Sequence, residues 1–121
     1  MGSNSNFKKI VFSLMLCFSI VLAFSTFSYA QPAKQIERAR KITQDAFNDF
    51  NKGKFQNTVE KCDKALEIVP NFAYANYLKG WALYRLGKNE QALTATNLAI
   101  QQGQAPGQAY LVRGQINLAL K

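Results

Sequence analysis

Histidine is absent from this chain. Without it there is no imidazole base, no histidine metal ligand and no Ser-His or Cys-His pair. Cysteine occurs twice, as Cys17 and Cys62, and Cys17 falls within an apolar stretch near the start, so no disulfide framework is implied. One cysteine in the body of the chain is also too few for a zinc site. Acidic residues are scarce, 7 against 15 Lys and Arg, giving a formal charge of +8 in 121 residues. The basic residues are scattered singly or in twos and threes. This pattern reads as a solvated surface, and no nucleic-acid partner is expected. Among the carboxylates, Asp45 and Asp49 lie one helical turn apart, and Glu60 stands four residues before Lys64. Isolated carboxylates among lysines are ordinary surface partners of this i,i+4 kind. No enzyme, no metal and no cofactor is expected.

The first thirty residues have the layout of an export signal. Lys8 and Lys9 form a positive start, residues 10–27 carry no charge, and Ser28-Tyr29-Ala30 places small residues at both cleavage-determining positions. Cleavage there would start the mature chain at Gln31. The uncharged stretch also approaches bilayer-spanning length, so the alternative is an uncleaved anchor over residues 10–27. Both readings put the remainder outside the cytoplasm, in the periplasm or secreted. A membrane is a partner only if the segment stays uncleaved. Leu14-Met15-Leu16 ahead of Cys17 lacks the small residue of a lipoprotein signal, and Asn6 stands where a myristoylation site needs Ser or Thr.

After Pro32 only Pro70 and Pro106 interrupt the chain. Between the breaks, apolar residues recur at helical spacing. Phe55, Val59, Cys62, Leu66 and Val69 form one stripe, and Leu78, Trp81, Ala82, Leu83 and Leu86 enrich a second segment. Cys62 lies on the first stripe and reads as a buried, inert residue. The pattern predicts helices over 34–52, 55–69, 73–86, 89–102 and 107–120, and no strand. Links as short as Gly53-Lys54 and Gly87-Lys88 make neighbouring helices antiparallel.

The pattern also repeats. Gly53-Lys54 recurs as Gly87-Lys88, Ala65-Leu66 as Ala99-Ile100, Phe47 as Trp81, and Phe50 as Tyr84. A further step carries Lys79-Gly80 to Arg113-Gly114. The offset is 34 residues each time, the period of the tetratricopeptide repeat. The stretch 76–88, N-Y-L-K-G-W-A-L-Y-R-L-G-K, with Glu90-Gln91-Ala92-Leu93 after it, resembles the signature of that family. The resemblance implies an all-α fold, an α-hairpin solenoid of about two and a half repeats following the signal segment. Residues 1–30 are the signal or anchor, 31–38 a lead-in, and 39–121 the repeat domain, divided into 39–72, 73–106 and a half repeat 107–121. It further implies that Gly80 and Gly114 sit where paired helices cross closely, and that Gly53 and Gly87 end helices in a left-handed turn. Ala46 replaces the close-contact glycine of the first unit, and Thr96 stands where an aromatic residue usually packs. Pro106 comes two residues later than Pro70 would predict.

The family resemblance also points to a protein or peptide partner. Some members grip a carboxylate terminus with Lys, Arg and Asn, but the matching positions here are Thr43, Phe47, Tyr77, Trp81, Leu111 and Gln115, so that clamp is not carried over. The candidate partner-binding residues are instead aromatic: Phe47, Phe50, Tyr74, Tyr77, Trp81 and Tyr84, with Lys79 and Arg85 beside them. The competing reading places these rings in the core. At the level of the whole molecule, an adaptor scaffold competes with a structural or assembly subunit of an envelope complex that self-associates through its last helix. A fragment of a longer array is the third reading.

Overall fold

The computed structural model describes the backbone of residues 3–103 and 105–121, with side chains over 5–15, 32–103 and 105–121. Five helices run through these residues: α1 (Ser3–Asn51), α2 (Phe55–Ile68), α3 (Ala73–Arg85), α4 (Asn89–Gln101) and α5 (Gln108–Ala119). Helices α2 to α5 begin and end within a residue of the spans their periodicity predicts. α1 differs, since it starts far ahead of residue 34 and includes Pro32 and the expected lead-in. The stretch before Pro32 contains no glycine or proline beyond Gly2, so nothing local breaks a helix there.

The chain divides into two units, Met1–Lys34 and Gln35–Lys121. In the first, every described side chain is exposed, including Phe7, Ile10, Phe12 and Met15. Among the described residues no helix is long and apolar enough to cross a membrane. The side chains of Ser28-Tyr29-Ala30, and of Cys17, lie outside the described residues.

The second unit is punctuated by glycine. Gly53 and Gly87 adopt φ of 76° and 77°, a backbone that L side chains resist. Each closes a helix in the same way. Gly53 N–H donates to Phe50 O and Lys54 N–H to Asp49 O, both at 2.9 Å, and Gly87 and Lys88 repeat the pair on Tyr84 and Leu83 at 2.9 Å. These paired bonds satisfy carbonyls that a helix end leaves open and reverse the chain within two residues. Gly103 has φ 76° and donates to Ile100 O at 3.1 Å, repeating the first bond of the pair at the end of α4. A polar bridge ties this end of α4 back to the start of α3: Asn76 Nδ2 donates to Gln102 Oε1 at 3.1 Å, and Gln102 Nε2 donates to Pro70 O at 3.5 Å.

The core of this unit is rich in alanine, with Ala46, Ala82, Ala92, Ala99 and Ala109 fully inaccessible around Leu78 and Ile116. Small residues let helix axes approach, and Gly80 marks one such close approach. A Cβ there would collide with Thr96 Oγ1 and lie 3.1 Å from the Ala92 carbonyl oxygen. Thr96 thus has its own reason to be small: it is fully buried against the glycine, and its hydroxyl donates to Ala92 O at 2.8 Å. The first pair uses a different closure. Thr58 Oγ1 donates to Lys54 O at 2.9 Å, just ahead of its own helix, and reaches Ala46 O in α1 at 3.3 Å.

The expectation for Gly114 is corrected. A Cβ there would meet nothing within 4 Å, because no described helix packs against that side of α5. The identity of a residue at a repeat position encodes a close contact only where the second helix is present to make it.

Candidate functional site

The six aromatic candidates come from the end of α1 and from α3. Phe47 and Phe50 lie near the end of α1, and Tyr74, Tyr77, Trp81 and Tyr84 along α3. Spacings of three, four and three residues put the α3 set on one helix face. In the folded unit four of the six rings join into a row, while Phe47 and Tyr84 pack against the same core. Tyr74 and Tyr77 have centroids 5.9 Å apart, Tyr77 and Trp81 5.8 Å, and Trp81 and Phe50 4.4 Å. Phe55, at the start of α2, extends the row with an edge contact to Phe50 at 5.2 Å. Each such pair contributes about 0.5–1.5 kcal/mol beyond simple burial.

The row has an inner and an outer layer. Phe50 is 7% exposed and Tyr77 5%, so these two serve chiefly as core. Phe47, Tyr74, Trp81 and Tyr84 are half-buried and pack on that core from outside. The mixture answers the competing readings residue by residue. A ring that is almost wholly covered has little surface to offer a partner, whereas a half-buried one is held rigid and still presents a face. Burial pushes the Tyr77 phenol up to about 12, helped by neighbouring Tyr74, and burial raises Tyr74 as well. Both hydroxyls therefore stay neutral and able to donate at any ordinary pH.

Of the two charged neighbours, Arg85 stays beside the row as expected and Lys79 does not. Lys79 is turned toward α2, where its Nζ lies 2.6 Å from Asp63 Oδ1, so it does not serve the aromatic row. Arg85 lies with its guanidinium carbon 4.6 Å above the Phe55 ring and remains exposed, leaving a positive charge at the end of the row. Asp49, nearly buried, pairs with Lys61 of α2 at 2.6 Å rather than with a neighbour on its own helix. The hydrogen-bonded Lys61 ammonium holds the Asp49 carboxyl below its usual range, against the opposing effect of burial. Glu60 accepts from Gln56 Nε2 at 3.4 Å.

One participant was missed from sequence. Phe55 completes the row beside the expected Arg85, and the available signal was the two-residue link Gly53-Lys54, which leaves Phe55 no distance to travel from Phe50. The other positions considered for carboxylate capture are split: Thr43 is buried with its hydroxyl on Ala39 O at 2.8 Å, while Leu111 and Gln115 are exposed.

Cys62, beneath this face, is buried, and desolvation with nearby Asp63 pushes its thiol up to about 12. It is present as the thiol at ordinary pH and is inert. Among the described residues no cluster of carboxylates and cysteine could hold a metal ion.

Comparison with known proteins agrees with this architecture. The family described as Psidin, N-terminal TPR repeats region, matches residues 39–109. No curated protein matches the chain. Tetratricopeptide repeats generally mediate protein–protein interaction and are generally not catalytic. The 34-residue recurrence of the Gly-Lys helix ends, the antiparallel helices and the match over more than half of the residues place this chain in the tetratricopeptide-repeat family.

Proposed function

We propose that this protein is an exported interaction module that holds a segment of a partner protein against the aromatic row of α1 and α3. The observation that carries the reading is Trp81. Its ring touches Phe50 at 4.4 Å and Tyr77 at 5.8 Å, yet it remains only half-buried. A large ring fixed from behind and open in front loses little freedom on binding and covers much apolar area, which is why Trp and Tyr dominate binding hot spots. In this family the first helices of the repeats line the concave side, so the row would face a groove. Tyr74, Tyr84 and Phe47 would supply further contacts, and exposed Arg85 favours a segment carrying negative charge. Export is supported by Lys8 and Lys9, the uncharged stretch over residues 10–27 and Ser28-Tyr29-Ala30.

Cross-linking in the cell envelope, with Trp81→Ala compared against the parent chain, tests the binding half. The variant should lose about 2 kcal/mol or more of partner affinity while circular dichroism shows it folded. A folded Trp81→Ala chain that captures the same partner undiminished would end the aromatic reading. Intact mass of the envelope protein tests the export half, with a terminus at Gln31 expected; full-length chain in membranes would favour the anchor, and chain in the cytosol would overturn both.

A further inference from the structure

Four cations meet where the aromatic row ends. Lys52 and Lys54 flank the first glycine turn, Arg85 and Lys88 flank the second, and all four are exposed. The Arg85 guanidinium, 4.6 Å above the Phe55 ring, joins the two turns into one patch. Among the described residues none of the four forms an ion pair. Lys52 and Lys54 lie near enough to Asp49 to help hold its charge, but that carboxylate is already claimed by Lys61 at 2.6 Å. Glu90, in the first turn of α4, offsets one charge at most.

Given a partner segment on the aromatic row, as proposed above, we infer that it carries acidic side chains close beside its apolar anchor and seats them on this junction of the two Gly-Lys turns. Charge complementarity sets the chemistry. Residues 1–36 contain no Asp or Glu, so the first unit cannot supply the missing carboxylates. No two acids in the sequence stand adjacent or one residue apart, so a second copy offers no acidic pair on an extended stretch. In a repeat array each unit contacts only its neighbours. A unit added after residues 107–121 would therefore pack on that one and leave the junction of the first two as it is. Spacing follows from the helix. Trp81 and Arg85 are one turn apart, about 6 Å along α3. An extended chain advances about 3.3 Å per residue and turns every second side chain to the same face. With an apolar residue over Trp81, acids two and four residues along would reach Arg85 and the adjoining lysines.

The probe is a labelled nonapeptide blocked at both ends, Ser-Leu-Ser-Leu-Ser-Glu-Ser-Glu-Ser, so that only side-chain carboxylates are offered. It is made in this order and reversed, and each is titrated against the full chain by fluorescence anisotropy. Saturable binding of one order is expected, weakened about tenfold when both glutamates become glutamine. Arg85→Ala should remove most of that difference. Arg85→Glu should reverse the preference, binding a lysine-for-glutamate peptide more tightly than the glutamate one, a result that only a folded chain can give. Absence of saturable binding overturns the inference and leaves the cross-linking test of Trp81 to stand on its own. Equal binding of the glutamate and glutamine peptides, lost in Trp81→Ala, overturns it while supporting the aromatic row. Glutamate-dependent binding that Trp81→Ala leaves unchanged would mean that charge alone holds the peptide, and overturns both. Vesicles with anionic headgroups that capture the parent chain but not Arg85→Glu, where neither peptide binds, would assign the patch to a lipid surface and overturn it as well.

Discussion

Gly80 and Gly114 are the same residue 34 positions apart, and they meet opposite surroundings. Gly80 is pressed against the backbone and hydroxyl of α4, while Gly114 faces open space on α5. The difference lies entirely in the neighbour. A glycine in the middle of a helix costs about 0.5–1 kcal/mol relative to alanine wherever it occurs. At Gly80 that cost is offset by the close packing of Ala92, Thr96 and the rest of the alanine-rich core. At Gly114 nothing among the described residues offsets it. A repeat array is stabilised by nearest-neighbour interfaces, so identical residues can be essential in one repeat and unneeded for stability in the next.

The sharpest way to break this comparison is substitution at Gly80. Gly80→Val should destabilise the fold by about 3 kcal/mol, because the new side chain meets backbone that cannot swing aside. An unchanged midpoint in thermal or urea denaturation would mean that α3 and α4 are not paired as described. The matching change at the other site should have the opposite sign. Gly114→Ala should stabilise by about 0.5–1 kcal/mol, since it removes backbone freedom from the unfolded chain and enters free space. A loss of stability there would show that α5 is already covered on that side.

Smaller effects sharpen the contrast between the covered and uncovered halves. Asp49, paired with Lys61, has its carboxyl held below the ordinary 3.8. A depressed folded-state value adds stability that is present above the ordinary value and lost as pH falls below it toward the folded one. Asp49→Asn should therefore lower stability near neutrality and have a shrinking effect as pH falls through the acid range, flattening the acid end of the curve. Arg113, which has no such partner, should leave the curve unchanged when replaced by alanine. Cys62 supplies a kinetic counterpart. With its thiol pushed up to about 12 and its surface covered, it should resist alkylation in the native state and label at the rate of unfolding. Rapid labelling of folded protein would place α2 outside the core.

Much of this architecture was legible because its determinants are local. A glycine at φ near 76° ends a helix through bonds to residues three and five positions back, so Gly53-Lys54 and Gly87-Lys88 announce the turns directly. Pro70 likewise marks the end of α2. The candidate site was legible only in outline. The α3 spacing places four rings on one face, but which of them face inward depends on what α1 and α2 bring. Phe50 and Phe55 close over one side, so Phe50 and Tyr77 sink into the core while Trp81 stays half open. Lys79 could not be assigned from its own helix, because the carboxylate that claims it, Asp63, lies on another.

By itself the sequence determined the helices, their ends, the 34-residue period and hence the family, since each rests on backbone preferences and spacings within a few residues. The tertiary structure alone decided which residues of a repeated pattern meet a partner. Thr96 became the filler for Gly80, Asp49 found Lys61 across a helix pair, and Gly114 was left open. Burial is a property of two surfaces, and a single helix states only one of them.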